Sequence, residues 1–478
     1  MKKFKILLTA FLVGLLAFVG CDSGFEEINK NPNEPTVIPS DLLTADIVRN
    51  VGNTMYSTFV GGDMGSCWSQ QWAKVNYEDE ERYDIRETMM ETIWKSFYED
   101  GIADAVSMEK LAKAEGNDIS RGVAVTMQAY TFSLLTELFG NVPFSEAIKG
   151  EEGNITPVYD AQEDIYDGIF ALLDSANIYL AGSGSLNATT DLIYGGDVSK
   201  WQKFANSLKF RLLMRISGKR DVSAELQDIV SNRAIFTSSA DDASLKFLTA
   251  DPNANPIYES IVFGNRKEYK INSVMVDMLV ALEDPRLPVY AELNNNDEYR
   301  GKPSGIIEVP NDEYNYDNVS AIGEKYVDAE LPGFFMTYSE LQFLMAEARH
   351  KNLITTGTAI EYYNNGVLAS FEFNEVEDEF ATYIVQPSVA YNTTSGLQKI
   401  AEQNWIAMYC QGVESWTEWR RTGFPELEIA IEHDPAVSEI PSRYIYPIIE
   451  KSVNATNYNA ASDAMGGDLL TTKFWWLQ

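Results

Sequence analysis

The chain contains two histidines, and one of them follows a glutamate at a spacing used by metal sites. Glu347 and His350 have the Glu-x-x-His spacing of helical di-iron sites, but such a site needs a second copy of the motif. The residue three positions before His433 is Ala430, so the sequence has no second copy. We therefore predict no metal site, and we expect His350 to cap a helix or to lie at the surface.

The sequence also lacks common motifs of hydrolases and nucleotide-binding proteins. It contains no H-E-x-x-H, no G-x-x-x-x-G-K-[ST] and no G-x-S-x-G. Residues 294–298 are rich in oxygen ligands that suit calcium, but they lack the ligand spacing of a calcium loop. A glycosidase needs two opposed carboxylates, and no pair stands out among the 71 acidic residues. We therefore predict no catalytic residue and no cofactor.

Aromatic side chains with neighbouring amides give a better indication of function. Trp68, Trp72 and Tyr77 lie in an early segment that also contains Gln71. Flat aromatic faces stack on sugars or on peptide side chains, while amides and carboxylates bond hydroxyl or amide groups. This composition is typical of a binding surface. The alternative is that these rings close the core beneath a loop.

Cys21 follows a segment with the composition of a secretory signal peptide. Lys2, Lys3 and Lys5 give a basic start, and residues 6–19 are an apolar run. The run is too short for a membrane-spanning helix, which takes about 20 apolar residues. A cysteine at this place is similar to the lipobox of bacterial lipoproteins, whose thiol is acylated. We predict a signal peptide over residues 1–20 and lipidation of Cys21. An ordinary secreted protein with a chance cysteine is the alternative.

The residues after Cys21 have the composition of a flexible tether. Prolines at positions 32 and 35 interrupt any helix, and the polar residues around them have no core to join. We therefore predict a lipidated, flexible leash over residues 21–40. Acidic residues directly behind Cys21 resemble the surface-export signal of Bacteroidetes lipoproteins.

Composition and charge limit the partners of the protein. The chain is 45% hydrophobic and 12% aromatic, which is enough for a large core, and its net charge is −34. An acidic surface repels phosphate backbones and anionic lipid head groups. We therefore predict no nucleic-acid binding, and we expect membrane attachment through the lipid anchor alone. Cys67 and Cys410 could pair, but two buried free thiols are our preferred interpretation because Cys410 lies in a stretch predicted as helix.

Helical periodicity dominates the rest of the chain. Apolar residues recur three or four positions apart at 123–138, 201–212, 341–348 and 405–419, and Gly140 supplies a stop after the first of these. In the last of them, we expect Trp405, Trp416 and Trp419 to be buried in the core. We predict one large, mainly α-helical domain over residues 41–478.

Two segments need separate predictions. Residues 339–372 read as two helices joined by a short turn, a hairpin of the length of a tetratricopeptide-like unit of about 34 residues. Residues 294–333 hold many Asn, Gly and Pro residues, and loops longer than about 15 residues are uncommon unless they are functional. We therefore expect this stretch to have a role or to contain local strands.

Short motifs spread over nearly the whole chain resemble the SusD/RagB family of outer-membrane lipoproteins. They are F-E-E-I-N and N-P-N over 25–33, L-F-G-N-V-P-F-S-E-A over 138–147, D-P-R-L-P over 284–288, E-W-R-R-T-G-F-P over 418–425, and Trp475-Trp476 at the end. Most of these residues have structural interpretations. We expect Arg420 and Arg421 to pair with carboxylates such as Glu414 and Glu418, and the two terminal tryptophans to dock the tail.

The resemblance implies a scaffold of tetratricopeptide-like helical hairpins with a loop-rich, irregular half that carries the ligand site. It also implies a cell-surface lipoprotein of the outer membrane without catalytic activity. Such a protein binds an oligosaccharide, or in some systems a peptide, and delivers it as a lid to a SusC/RagA-type TonB-dependent transporter. We rank oligosaccharide above peptide. A lipid-anchored helical glycoside hydrolase is the alternative function.

The ligand-facing regions of the family match residues 63–84 and 292–333 of this chain. These regions vary most within the family, so no contact residue carries over individually. Within them, side-chain chemistry favours aromatic and amide residues. The predicted ligand-binding residues are Trp68, Gln71, Trp72, Tyr77, Tyr314 and Tyr316.

Overall fold

Seventeen α-helices make up most of the regular structure in the residues that the computed structural model describes, 38–307 and 313–478. They are α1 (Thr44–Tyr56), α2 (Glu87–Lys95), α3 (Asp104–Glu115), α4 (Asp118–Phe139), α5 (Gln162–Tyr179), α6 (Val198–Ile216), α7 (Ser223–Asn232), α8 (Pro256–Tyr258), α9 (Ser273–Ala281), α10 (Leu287–Tyr290), α11 (Tyr338–His350), α12 (Ala359–Phe373), α13 (Phe380–Tyr383), α14 (Gly396–Ala407), α15 (Gly412–Thr422), α16 (Ile448–Val453) and α17 (Ala455–Met465). Three π-helical segments, Thr58–Ser66, Ser96–Ala103 and Glu259–Phe263, follow α1, α2 and α8.

The mainly helical fold class is confirmed. Ser40–Gln478 forms one compact unit. The predicted signal peptide, Cys21 and nearly all of the predicted leash lie outside the described residues, and they stay predictions. Among the helices that are described, none combines the length and the apolar character that crossing a membrane requires.

Neighbouring helices in the chain pack against each other as hairpins. Helix α4 packs on α3 and on α5, and α11 packs on α12. The hairpin predicted over 339–372 is confirmed by α11 and α12. A Cβ added at Gly366 would lie 2.9 Å from the Phe343 ring, so glycine allows these two helices to approach closely. The predicted stop after α4 is confirmed too, since Gly140 follows Phe139 with a φ of 90°.

The apolar residues that recur over 405–419 are buried, but they belong to two helices and not to one continuous helix. Trp405 and Trp416 are in the core and Trp419 is partly buried against it, as helical spacing predicted. The helix predicted through Cys410 is wrong. The chain turns between α14 and α15, where Cys410 has a φ of 65° that an α-helix cannot accommodate. Cys67 and Cys410 are both free and buried, as preferred from the sequence.

Buried ion pairs join α15 to earlier helices. Arg421 on α15 donates to both carboxylate oxygens of Glu347 on α11, and it also pairs with Glu418. Glu414 pairs with Arg215 of α6. The prediction that Arg421 and these carboxylates hold helices together is confirmed.

Arg420 behaves differently from the prediction. Among the described residues it has no carboxylate partner; it donates to the main-chain oxygens of Glu137 and Ser442 instead. Its guanidinium carbon lies 3.7 Å from the centroid of the Trp416 ring, and burial lowers its pKa to about 9. The predicted docking of the tail is confirmed, because Trp476 is buried and Trp475 packs against the core.

Four short strands form two antiparallel pairs within the described residues. They are β1 (Trp72–Lys74), β2 (Ala243–Leu245), β3 (Tyr269–Ile271) and β4 (Gly333–Met336). Strand β1 pairs with β3, and β2 pairs with β4. Single bridges also join Lys270 to Ala321 and Ala291 to Ile322, so the described part of segment 294–333 pairs through isolated bridges, and Gly333 at the start of β4 is its one strand residue.

Candidate ligand-binding groove

The β1–β3 pair brings distant parts of the chain to one place. Trp72 lies opposite Ile271, and Lys74 lies opposite Tyr269. Val75, directly after β1, is still buried, and its N–H donates to the main-chain oxygen of Glu268 just before β3 at 2.9 Å; Tyr77, two residues further on, is exposed. The Lys270–Ala321 bridge adds the segment around residue 316. Three loops therefore meet at this edge.

An open groove of about 880 Å³ lies between these loops. Its lining residues are Asn76, Tyr77, Arg86, Asn265, Arg266, Lys267, Glu268 and Tyr316. The volume is in the range of small-molecule and oligomer sites, which span about 300–1,000 Å³. Two of the predicted ligand-binding residues, Tyr77 and Tyr316, are on its wall.

Tyr77 is presented to solvent by an unfavourable backbone conformation. Its φ is 56°, and 62% of the residue is exposed. The Asn76 side chain accepts a hydrogen bond from the Tyr77 main-chain N–H at 2.9 Å, which stabilises the turn. A left-handed conformation costs a residue other than glycine about 1–2 kcal/mol. Such strain is often found where a side chain must be held in a functional position.

Tyr316 is held from below by a buried lysine. Lys270 Nζ donates to the Tyr316 main-chain oxygen at 2.8 Å and lies 6.0 Å from the centroid of the Tyr316 ring. Burial lowers the pKa of Lys270 to about 8, while the nearby Asp317 carboxylate acts in the opposite direction. Tyr316 is 37% exposed as a whole residue, so part of it faces the groove.

Two arginines of the groove have fixed orientations. Arg86 Nε donates to the buried carboxylate of Glu80, and its guanidinium lies 4.9 Å from the centroid of the Phe59 ring. Arg266 Nε donates to Glu268 Oε1 at 2.6 Å, and its guanidinium lies 5.2 Å from the Tyr269 centroid. In both, the side chain is fixed through Nε to a buried carboxylate.

The floor under the groove is polar and closed. Asp63 is 1% exposed, and it accepts hydrogen bonds from the Tyr269 hydroxyl at 2.7 Å and from Lys74 Nζ at 3.0 Å. A buried carboxylate needs such partners, since an unpaired charge in the core is very costly. The same contacts fix the strand pair from which the groove loops extend.

Three predicted ligand-binding residues lie in the core instead. Trp68, Gln71 and Trp72 are at most 1% exposed. Trp68 Nε1 donates to the Glu80 main-chain oxygen at 2.8 Å, and Gln71 Nε2 donates to the Trp405 main-chain oxygen at 2.8 Å. The alternative interpretation, rings that close the core beneath a loop, describes these positions, because they offer no surface to a ligand.

Tyr314 is near the groove but is not on its wall. It is half-buried, and the Arg300 guanidinium lies 5.0 Å from the centroid of its ring. The cationic residues Arg86, Arg266 and Lys267 were missed by sequence reasoning. No local pattern distinguishes them from other surface cations, because their common position depends on the β1–β3 pairing.

The other positions considered for metals have structural roles. His350 ends α11, and its Nδ1 lies 2.8 Å from the Tyr391 hydroxyl. The Asn294 side chain accepts from the main-chain N–H groups of Asn296 and Glu298 and so closes its own loop. In residues 38–307 and 313–478, no group of three His, Cys, Asp or Glu side chains could hold a metal ion.

The fold and the groove define a class of protein: a helical-hairpin scaffold that carries an open groove lined by aromatic and polar side chains. The family model described as starch-binding and associating with the outer membrane matches residues 32–447. The chain therefore belongs to the SusD-like family. No curated protein matches it by sequence.

Solved structures support this membership. A chitin-binding protein is 27% identical, with a TM-score of 0.81 over 92% of this chain and 99% of that one. A SusD homologue from Bacteroides fragilis is 26% identical, with a TM-score of 0.77 over 92% of this chain and 100% of that one. A chitin-binding SusD homologue from Flavobacterium johnsoniae, 24% identical, has a TM-score of 0.80 over 92% and 97% and shows the shared fold.

Proposed function

We propose that this protein binds a nutrient oligosaccharide in the groove between Tyr77 and Tyr316 and delivers it to a SusC/RagA-type TonB-dependent outer-membrane transporter, for which it acts as the lid. One observation carries the proposal. Two exposed tyrosines, far apart in sequence, lie on the wall of one groove in a family described as starch-binding.

The chemistry of the wall suits sugar rings. The two tyrosine faces can stack on the apolar faces of pyranose rings; pairs of aromatic rings gain about 0.5–1.5 kcal/mol beyond area burial, and we take the same order for a sugar face. Asn76, Asn265 and Glu268 offer donors and acceptors to hydroxyl groups. Oligosaccharide therefore fits better than peptide, whose backbone would need an exposed strand edge or a row of side-chain pockets.

The attachment to the membrane is part of the proposal. Acylation of Cys21 would hold the protein at the outer membrane, and residues 21–40 would act as the leash that lets a lid open and close. Two or more acyl chains give stable anchoring, whereas one gives only marginal binding. The supporting observations are the basic and apolar start, the cysteine after it and the proline-rich residues that follow.

We propose binding without turnover. A glycosidase needs two opposed carboxylates across the scissile bond. Within the described residues, Glu268 is the one carboxylate on the groove wall, and it already accepts from Arg266. The glycoside hydrolase alternative would therefore need a second acid from elsewhere. Product analysis after long incubation with glycans tests this: turnover that one Asp or Glu substitution abolishes would overturn binding-only function.

The binding test uses the full chain with matched panels of oligosaccharides and peptides. Isothermal titration should find an oligosaccharide whose affinity falls about five- to tenfold in Tyr77→Ala, in line with the loss of one stacking contact. Tyr362→Ala, which removes a half-buried ring on α12, is the matched control and should retain affinity. Unchanged affinity in Tyr77→Ala would place the ligand elsewhere, and binding of peptides alone would replace the proposed ligand.

The anchoring test uses cells. Cys21→Ala should leave ligand affinity of the purified protein intact and abolish uptake, because the lid would no longer be held at its transporter. Normal uptake by cells that produce Cys21→Ala would contradict the role of the anchor.

A further inference from the structure

The charges that the groove presents to solvent have the opposite sign to the rest of the protein. The chain has a net charge of −34, yet Arg86, Arg266 and Lys267 are on the wall of the groove. The side chain of Arg86 is 57% exposed and that of Arg266 is 39% exposed. Lys267 is exposed as well.

The nearby carboxylates are beneath the surface. The side chains of Glu80, Asp63 and Glu268 are 5% exposed or less. They fix the arginines from below and reduce the local positive potential, but they do not cover the cations. Lys267 has no ion-pair partner among the residues of the structure that are described. A ligand that enters the groove therefore meets cationic groups first.

The two arginines keep donors available. Each uses Nε on its buried carboxylate, and neither forms a hydrogen bond through its Nη groups with any described residue. Arg86 Nη2 is 3.8 Å from Asp63 Oδ2, which is an ion pair beyond hydrogen-bond length. A guanidinium presents a planar set of donors that matches a carboxylate or a sulfate, and fixing it in advance lowers the entropy lost on binding.

A neutral sugar would leave this arrangement unused. Stacking on Tyr77 and Tyr316 needs no cation, and hydroxyl groups can be bonded by Asn76 and Asn265. Three cations on the same wall as two tyrosines instead match a chain of sugar rings with negatively charged substituents. Such cations also attract an anion over the repulsion of an otherwise acidic protein.

We propose that the ligand of this groove is an acidic oligosaccharide, with carboxylate or sulfate groups that bind Arg86, Arg266 and Lys267 while its rings stack on Tyr77 and Tyr316. This inference rests on the proposed function, because it names the class of glycan for the same groove. Charge-assisted hydrogen bonds of this kind are about twice as strong as neutral ones.

The test compares ligands of equal length by isothermal titration with the full chain. The acidic probes are hexasaccharides of galacturonate and of sulfated chondroitin, which separate carboxylate from sulfate. The neutral probes are maltohexaose and chitohexaose, and hexaglutamate represents an acidic peptide. We expect one acidic sugar to bind at least about tenfold more tightly than the neutral ones, and to lose most of this advantage between low and high salt because ions screen exposed charges.

The variants separate charge from structure. Lys267→Gln should weaken binding of the acidic sugar about three- to tenfold and weaken binding of neutral sugars much less. Arg266→Gln should have a larger effect, since a fork of donors is removed. The control is Lys110→Gln, an exposed lysine on α3 outside the groove wall, which should change neither. Thermal unfolding of each variant shows whether the fold is retained.

Each other outcome has a distinct meaning. In one outcome, neutral sugars bind as tightly as acidic ones, with an affinity that does not depend on salt and that falls in Tyr77→Ala. That result would overturn the acidic ligand and support the proposed function. Tighter binding of hexaglutamate would overturn the sugar altogether. Failure of every oligosaccharide to bind would overturn both proposals.

Discussion

Arg421 and Glu347 form a two-pronged ion pair between α15 and α11. Arg421 Nη1 and Nη2 donate to the two carboxylate oxygens of Glu347 at 2.7 and 2.5 Å, and both side chains are 8% exposed. The residues are 74 positions apart in sequence. The pair therefore joins the hairpin α11–α12 to α15, the helix that packs against the π-helical segment Thr58–Ser66.

Loss of this arginine should destabilise the protein strongly. Arg421→Ala leaves Glu347 and Glu418 buried without their shared partner, and removal of one member of a buried pair costs about 3–5 kcal/mol. Urea unfolding followed by tryptophan fluorescence measures the change. Lys95→Ala, which breaks an exposed pair with Glu91, is the control and should change the unfolding free energy far less, because water screens an exposed pair. Equal changes in unfolding free energy for the two substitutions would show that the buried pair contributes no more to stability than an exposed pair.

The same pair should make stability depend on pH in the acid range. Arg421 holds the pKa of Glu347 at about 2, below its ordinary value of 4.5. A depressed folded-state pKa adds stability above the ordinary value and loses it as the pH falls towards the folded value. The difference in unfolding free energy between wild type and Glu347→Gln should therefore shrink by up to about 3 kcal/mol as the pH falls from 4.5 towards 2.

Unfolding titrations from pH 6 to pH 3 cover the upper part of that window. The wild type should lose more stability than Glu347→Gln over it, because other carboxylates titrate equally in both proteins. Parallel pH profiles would mean that Glu347 has the same pKa in the folded and unfolded states.

The backbone strain at Tyr77 should be measurable. Both Tyr77→Ala and Tyr77→Gly remove the ring, but glycine adopts the φ of 56° without steric cost. Tyr77→Gly should therefore unfold with a free energy about 1 kcal/mol higher than Tyr77→Ala, and both should bind the ligand equally weakly. A lower stability of the glycine variant would show that the turn relaxes in the alanine variant.

The buried tryptophan under the groove should affect stability and not recognition. Trp72→Phe leaves a partly filled core and should lower the unfolding free energy by about 2 kcal/mol, whereas ligand affinity of the folded protein should change less than twofold. Tyr77→Ala should show the reverse pattern. A large loss of ligand affinity in Trp72→Phe without a loss of stability would show that Trp72 contacts the ligand.

Sequence periodicity predicted the helices well where the buried residues lie on one face of the helix. Helix α4 and the α11–α12 hairpin came from apolar spacing alone. The break at Cys410 was missed, because the apolar pattern continues through it and a left-handed residue other than glycine leaves no composition signal.

The groove was predicted only in part, for a physical reason. Trp, Gln and Tyr serve equally well in a core and at a sugar site, so residue type could not separate Trp68 and Trp72 from Tyr77. Their environment is decided by strand pairing between segments far apart in sequence. The arginines that define the charge of the groove depend on the same pairing and were not visible in the sequence.

The pairing of β1 with β3 also has a consequence for the time course of folding. Asn272 donates to the main-chain oxygen of Trp72, 200 positions earlier in the chain. Contacts of such long range form slowly, because a large loop must close before they contribute any energy. Ligand affinity therefore appears only after this loop has closed, and a ligand added during refolding reports when the β1–β3 pairing has formed.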